Sequence, residues 1–86
     1  LHQADKFIND QIAKKMKISQ DKLPYSIHKF GNTGSVSIPL TMVSEIRDQL
    51  RQDKNRLFMS GFGAGLSWAS AITSIDRCVI PKLVEI

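Results

Sequence analysis

Apolar residues recur at helical spacing in two parts of the chain. Positions three and four apart form a first stripe at Ala4, Phe7, Ile8, Ile12 and Met16. This stripe predicts a helix over about residues 4–17, with polar side chains such as Asn9 on its other face. A second stripe lies at Leu40, Val43, Ile46 and Leu50. It predicts another helix from Ser37, a residue type suited to the N-cap, to about Gln52.

Three other segments have the composition of β-strands. Residues 25–30 are β-prone and alternate loosely, and an apolar strand at 56–61 is followed by another at about 66–75. The polar cluster at 53–55 predicts a turn before the strand at 56–61. The tail, residues 76–86, is interpreted either as an extended edge or as a partly ordered end.

The order helix–strand–helix–strand–strand predicts an α/β fold with a small mixed sheet covered by helices. Strands joined by a helix favour parallel pairing, whereas the last two strands favour an antiparallel hairpin. Ligand sites in such sheets lie beyond the carboxyl ends of the strands. We therefore expect Gly31-Asn32 and the glycine-rich turn that follows the strand at 56–61 to lie at one edge.

That glycine-rich turn lies within residues 57–68, where Gly61, Gly63 and Gly65 alternate with other residues. Glycine permits positive φ and a close approach of backbone to a ligand. Exposed backbone N–H groups in such a loop can bind a phosphate, line a tunnel or stabilise an oxyanion. The alternative is a hairpin with a flexible tip.

Composition narrows the class of protein. An 86-residue chain with 42% hydrophobic and 23% charged residues has the profile of one soluble globular domain, residues 1–86. The chain opens at Leu1 close to a helical pattern, which we interpret as a piece of a longer protein. The net charge of +4 is scattered, so a solvated surface is favoured over a nucleic-acid interface, while an anionic partner stays open. The single cysteine suits a reducing cytoplasm, and no apolar run is long enough for a membrane span.

Individual polar residues give weak signals by themselves. His2 precedes the first predicted helix, His28 falls in the first predicted strand, and Asn32 lies in a turn. Each can be purely structural, because single histidines are often structural and Asn is common in turns. No second ligand stands at metal-binding spacing from either histidine, so we predict no metal site.

Three motifs in order, however, resemble one known family. They are His2-Gln3-Ala4-Asp5 before a helix, Gly31-Asn32-Thr33 before a Pro-containing helix, and the glycine-rich run from Gly61 to Trp68. Over residues 1 to about 74 the chain resembles the C-terminal half of 3-oxoacyl-acyl-carrier-protein synthase III, a condensing enzyme with a thiolase-like fold.

The resemblance implies a role for each motif. It assigns His2 and Asn32 as a catalytic pair that completes a triad with a cysteine from the N-terminal half. It also implies a backbone oxyanion site at Gly63, Ala64 and Gly65. The substrate-binding positions that it implies are Ala4, Asp5, Ile8 and Phe62.

The implied reaction joins an acyl group from a coenzyme A thioester to malonyl-acyl-carrier protein, with loss of carbon dioxide. Coenzyme A enters as part of the substrate, and no separate cofactor is implied. The implied partners are acyl-CoA, acyl-carrier protein, the N-terminal half and a second subunit of a homodimer. Some apolar residues among Phe7, Ile8, Leu40 and Val43 should then be exposed in this chain.

Two residues depart from the family pattern. Asp5 stands where the family has Asn at the pantetheine channel, and Phe7 stands where it has an Arg for carrier docking, so the usual acyl donor and carrier are in question. Lys6 is a neighbouring cation. Cys78 matches no nucleophile motif and is interpreted as buried or incidental. The alternative function is a degenerate homologue that binds acyl groups or serves as a dimer partner without catalysis.

Overall fold

A computed structural model describes residues 1–52 and 54–86, and in these ranges the chain forms four α-helices and one β-hairpin. The elements in chain order are α1 (Lys6–Met16), α2 (Ile27–Phe30), α3 (Ser37–Glu45), α4 (Arg47–Arg51), β1 (Asn55–Gly63) and β2 (Ser67–Ile75). Short 3₁₀ turns lie at Gln20–Lys22, Gly34–Val36 and Ala64–Leu66. The predicted α/β class is confirmed. None of the helices in the described part of the chain has the length and hydropathy that a bilayer crossing requires.

Helix α1 begins and ends with well-formed caps. The Asp5 carboxylate accepts a hydrogen bond from the Phe7 amide at 2.7 Å, which satisfies one of the free amides of the first turn. At the other end Lys17 adopts left-handed backbone angles, with φ 55°, and its N–H reaches back into the last turn. The helix is therefore slightly shorter than the predicted range of 4–17.

The strand predicted at residues 25–30 is wrong, because this segment contains the short helix α2. The physical reason is the Gln3 side chain, whose Oε1 accepts hydrogen bonds from the amides of Ser26 at 3.0 Å and Ile27 at 3.1 Å. Two consecutive amides that meet at one oxygen favour the start of a helical turn rather than an extended strand. Local β propensity is overridden by this tertiary contact.

The second predicted helix is divided into α3 and α4. Ile46, with φ −125° and ψ 19°, leaves the helical conformation between them, although no proline or glycine marks the position in the sequence. Ser37 is wrong as an N-cap, since it is the first residue of α3 and its hydroxyl makes no capping bond. The predicted turn at 53–55 includes Asp53, which lies outside the described residues.

Strands β1 and β2 pair antiparallel, with Phe62 opposite Trp68 and Gly63 opposite Ser67. The 3₁₀ turn between them contains Gly65 at φ 71°, in the left-handed region that favours glycine. The described residues contain no other strand, so the predicted mixed sheet is wrong. Without a strand at 25–30, residues 1–52 and 54–86 offer the hairpin no parallel partner.

The buried interior of the described chain is small and unusually polar. Its buried apolar residues are Ala13, Leu23, Leu50 and Ile75, and its buried polar residues are Gln3, Asn9, Ser26, Ser37 and Thr41. In α1 the buried face carries Asn9 and Ala13, while Phe7 is 68% exposed and Ile8 42% exposed. The apolar stripe of α1 therefore points away from this interior, and the prediction that stripe residues are exposed is confirmed.

The interpretation of residues 76–86 as a partly ordered end stays a prediction. The tail has no regular secondary structure and is not a strand of the hairpin sheet. It is nevertheless attached to the helical part. The Nε atom of Arg47 donates to the carbonyl oxygens of Ile80 at 2.9 Å and Pro81 at 3.0 Å.

Candidate active site

His2 is fixed through its backbone and through its ring. Its N–H donates to the Ser60 carbonyl of β1 at 2.8 Å, and its carbonyl accepts from Asn9 Nδ2 at 3.2 Å. The ring Nδ1 lies 2.8 Å from the Ser37 hydroxyl. The ring also meets the Phe62 ring edge-on, with centroids 5.4 Å apart and planes at 75°. These contacts leave Nε2 as the ring nitrogen that is not held by Ser37.

Asn32 is oriented by a tight turn. It follows Gly31, whose φ of 68° turns the chain sharply after α2. The Asn32 Oδ1 accepts a hydrogen bond from the Gly34 amide at 3.0 Å, as in an Asx turn. Because the oxygen of the carboxamide is occupied in this way, its Nδ2 group is the side available to donate outward.

The two side chains share an open groove of about 680 Å³. Its lining comes from three parts of the chain, the segment before α1, the turn into α3, and the hairpin: His2, Asn32, Gly34, Ser35, Ser37, Ile38, Gly61, Phe62, Gly63, Ser67, Trp68 and Ala69. An adjoining cavity of about 320 Å³ is lined by His2, Ala4, Asn32, Phe62, Gly63 and Ala64. The prediction that Asn32 and Gly63 lie at one edge is confirmed, although Asn32 follows a helix and not a strand.

The remaining predicted positions separate into two groups. Ala4 and Ala64 line the smaller cavity. Gly65, Asp5 and Ile8 line neither cavity. Asp5 instead caps α1, Ile8 lies on the exposed face of that helix, and Gly65 forms the hairpin turn.

Two residues outside the predicted site organise it. Gln3 is 0% exposed, and its carboxamide holds the start of α2 while its backbone N–H donates to Ser37 Oγ at 3.2 Å. Ser37 is 1% exposed and bonds the His2 ring. Gln3 could have been identified from the sequence, because it stands beside His2 in the first motif. Ser37 was instead interpreted as a helix cap.

Other candidate residues lie away from the groove. His28 is exposed on α2, and Cys78 is exposed in the tail, so of its two predicted interpretations the buried one is wrong. No three His, Cys, Asp or Glu side chains within residues 1–52 and 54–86 are grouped so as to hold a metal ion.

One polar cluster with shifted pKa values lies on α1, outside both cavities. The Tyr25 hydroxyl donates to Asp10 Oδ1 at 2.5 Å, and Lys6 Nζ lies 2.8 Å from Asp10 Oδ2. Burial, together with the hydrogen bond to Asp10 and its negative charge, raises the pKa of Tyr25 from 10.0 to about 12. Hydrogen bonds from Lys6 and Tyr25 hold the pKa of Asp10 below its ordinary value.

The groove is lined by hydrogen-bonding side chains and contains no carboxylate, ammonium or guanidinium group from the described part of the chain. Neither cavity has an Asp, Glu, Lys or Arg side chain in its lining. An imidazole and a carboxamide that donate into such a groove can stabilise a negative charge that develops on a substrate oxygen, and they add no carboxylate to oppose it. Among the described residues, the lining offers hydroxyl groups but no thiol.

Comparison with known proteins gives a consistent result. Residues 1–75 match the family model described as 3-oxoacyl-[acyl-carrier-protein (ACP)] synthase III C terminal. The beta-ketoacyl-[acyl-carrier-protein] synthase III of Prochlorococcus marinus (strain MIT 9312) is 40% identical over 72 residues, covering 84% of this chain and 22% of that protein. The enzyme of the same name from Streptococcus gordonii is 41% identical over 78 residues, covering 87% of this chain and 24% of that protein.

A solved structure agrees with these sequence matches. The crystal structure of a 3-oxoacyl-(acyl-carrier protein) synthase from Burkholderia xenovorans LB400 superimposes with a TM-score of 0.87 at 36% identity, over 95% of this chain and 24% of that one. The chain thus spans about a quarter of the length of the proteins that it matches. By family model, sequence identity and fold, the chain belongs to the 3-oxoacyl-acyl-carrier-protein synthase III family and corresponds to its C-terminal region.

Proposed function

We propose that the protein carrying this chain is an acyltransferase that condenses an acyl-CoA-derived acyl group with malonyl-acyl-carrier protein, in fatty-acid or related biosynthesis. The observation that carries the proposal is that His2 and Asn32 line one groove, each with its other polar atom already bonded within the chain. The family membership supports the same conclusion. The chemistry needs no cofactor beyond the coenzyme A of the substrate.

In the proposed reaction the acyl group first moves from coenzyme A to a cysteine supplied by the N-terminal half. The bond between the carboxylate and the α-carbon of the malonyl thioester then breaks and releases carbon dioxide. Its electron pair forms an enolate, whose oxygen accepts hydrogen bonds from His2 Nε2 and Asn32 Nδ2. The enolate carbon attacks the acyl carbonyl, and the cysteine thiolate leaves.

The hairpin loop supplies the second oxyanion site in this proposal. A backbone N–H of the Gly63–Gly65 segment, at about Ala64, stabilises the thioester oxygen during acyl transfer. Gly63 and Ala64 line the smaller cavity next to His2, which supports this role, and Gly65 contributes the positive φ of the turn.

Substrate contacts are proposed at Ala4, Asp5, Ile8 and Phe62, as the family resemblance implies. Phe62 and Ala4 line the cavity beside His2. The carboxylate of Asp5 is engaged as the N-cap of α1, a position for which Asn and Asp are about equally suited. The change from Asn to Asp at this position therefore preserves the helix start.

We also propose that an N-terminal half and a second subunit contact this chain in the intact enzyme. The support is apolar surface: Phe7 is 68% exposed, Ile72 68% and Trp68 74%. Exposed apolar area of this kind marks contact surfaces in soluble proteins. The cytoplasmic location stays a prediction from the single cysteine.

The two half-reactions of the full-length enzyme test the proposal separately. His2→Ala and Asn32→Ala should each lower the rate of malonyl-acyl-carrier-protein decarboxylation by about 10²–10³-fold, as is typical when one oxyanion donor is removed. Transfer of the acyl group from acyl-CoA to the enzyme should largely survive. His28→Ala is the matched control, because His28 is exposed on α2 and lines neither cavity.

Wild-type decarboxylation in either groove variant would remove that residue from the mechanism. If the wild-type enzyme itself performs neither half-reaction with any acyl-CoA supplied, the non-catalytic homologue is the better description.

A further inference from the structure

The hydroxyl of Ser37 lies between the ring of His2 and the backbone of Gln3. Its oxygen is 2.8 Å from His2 Nδ1 and 3.2 Å from the Gln3 amide nitrogen. The residue is 1% exposed, so water does not compete for these bonds. Buried hydroxyls in such positions determine which way a neighbouring imidazole is protonated.

The hydrogen-bond balance at this oxygen fixes the direction of the bond to His2. The Gln3 amide can only donate, so it occupies one lone pair of Ser37 Oγ. If His2 Nδ1 also donated, the Ser37 proton would have no acceptor, since Oγ has no further partner within residues 1–52 and 54–86. An unsatisfied buried donor is costly, so the favoured arrangement has the Ser37 hydroxyl donating to Nδ1.

A second hydroxyl pair holds the backbone of Ser37 in place. Thr41 Oγ1 donates to the Ser37 carbonyl oxygen at 2.7 Å. Ser26 Oγ lies 2.7 Å from Thr41 Oγ1, whose proton is already used, so Ser26 donates to Thr41. This chain of buried hydroxyls ties the start of α2 to the first turn of α3.

We propose that Ser37 is a positioning residue that holds the neutral His2 ring with its proton on Nε2, the nitrogen that faces the substrate. This inference rests on the proposed condensing function, because that function needs an N–H donor from His2. Ser37 acts through the ring and does not itself reach the reacting oxygen. Without the Ser37 hydroxyl, the proton can also occupy Nδ1, and the fraction of enzyme with a donor at Nε2 falls.

The direct test is the tautomer of His2 in the full-length enzyme. Histidine labelled with ¹⁵N distinguishes a protonated from an unprotonated ring nitrogen by chemical shift, and a His2→Gln variant assigns the signals. In wild-type enzyme, at a pH where the His2 ring carries a single proton, Nε2 should be protonated and Nδ1 unprotonated. Ser37→Ala should move both shifts towards an average of the two tautomers, and Ser37→Thr, which restores a hydroxyl, should bring them back.

Thr41→Val is the matched control. It removes a buried hydroxyl one turn further along α3, from a group that bonds Ser37 but does not touch His2. This variant should leave the His2 tautomer unchanged. A Thr41→Val shift as large as that of Ser37→Ala would show a general loosening of the fold and would overturn the positioning role.

Kinetics give the second readout. Ser37→Ala should lower the decarboxylation kcat by about 2-fold, because about half of the neutral enzyme then lacks a donor at Nε2. This loss is much smaller than the 10²–10³-fold expected when a donor is deleted, and KM should change little. If Ser37→Ala fails to fold, Ser37→Cys, with a weaker S–H donor, should show an intermediate tautomer shift. Unchanged ¹⁵N shifts in a folded Ser37→Ala or Ser37→Cys enzyme would refute the inference. A clear shift without loss of decarboxylation, with His2→Ala equally active, would refute the proposed function and leave the tautomer assignment standing.

Discussion

Replacing Gln3 by Met would test how the two halves of the groove are connected. The Gln3 carboxamide makes four hydrogen bonds: Oε1 accepts from the amides of Ser26 and Ile27, and Nε2 donates to the carbonyls of Leu1 at 2.9 Å and Pro24 at 3.5 Å. Met has a similar length and shape but makes none of them. The change therefore removes hydrogen bonds with little loss of volume.

The free-energy cost of Gln3→Met depends on how deeply each group that loses its hydrogen bond is buried. The Ser26 amide belongs to a residue that is 1% exposed, so its lost bond costs about 1–3 kcal/mol. The Ile27 amide and the Pro24 carbonyl are in partly buried surroundings, where water can replace some of the bonding, at about 0.5 kcal/mol each. The bond to Leu1 does not involve α2 and adds nothing to its opening. The sum is about 3 kcal/mol for local opening of α2, which corresponds to about a 100-fold larger open population.

Hydrogen–deuterium exchange of the full-length enzyme measures this opening directly. The peptide that contains α2 should exchange about 100-fold faster in Gln3→Met when exchange follows the open population. The control is Gln11→Met, the same substitution at an exposed position of α1. Because α2 leads through Gly31 into Asn32, decarboxylation should also fall in Gln3→Met. Unchanged exchange across α2 would refute the conclusion that Gln3 holds this helix.

Three further predictions concern backbone angles and pH. Gly65→Ala should destabilise the protein by about 1 kcal/mol or more because φ at this turn is 71°. The control is Gly63→Ala, which should leave the urea midpoint unchanged, because Gly63 is extended and an added Cβ would have nothing within 4 Å. Equal midpoints for the two variants would contradict the strain argument. Lys17→Gly should stabilise the protein by up to about 1 kcal/mol, since φ is 55° at this C-cap, and a lower melting temperature would contradict it. Tyr25 has its pKa raised from 10.0 to about 12, so its hydrogen bond to Asp10 stabilises the fold fully below pH 10 and is lost as the pH rises towards 12. The stability difference between wild type and Tyr25→Phe should therefore shrink over that range in urea titrations, and a constant difference would show that Tyr25 does not titrate there.

The elements with strong local signals were predicted well from the sequence. Helix α1 and the hairpin agree with the predicted ranges within a few residues, because a cap at Asp5 and the glycines around Gly63 are local features. The motifs also predicted a shared site for His2 and Asn32, which line one groove although thirty positions separate them. Their catalytic roles stay predictions until the half-reactions are measured.

The errors have a common physical origin in contacts that a local pattern does not contain. The predicted strand at 25–30 instead contains the helix α2, because a carboxamide more than twenty positions away accepts hydrogen bonds from the amides of Ser26 and Ile27. The buried face of α1 carries Asn9, whose Nδ2 bonds the His2 carbonyl, while the apolar face of Phe7 and Ile8 is exposed. Periodicity identified two faces of α1 but could not tell which one the chain itself covers.

The bonds that assemble the groove also have a consequence for the order of folding. The hairpin closes through neighbours such as Gly63 and Ser67, whereas Ser37 meets His2 and Gln3 across 35 and 34 positions of chain. Closing a longer loop costs more conformational entropy, so local pairs tend to form before distant ones. In pulse-labelling hydrogen exchange we expect the hairpin amides to gain protection before those of Gln3 and Ser26. The groove that His2 and Asn32 line would then be among the last parts of the chain to fold. Early protection of the Gln3 amide would contradict this order.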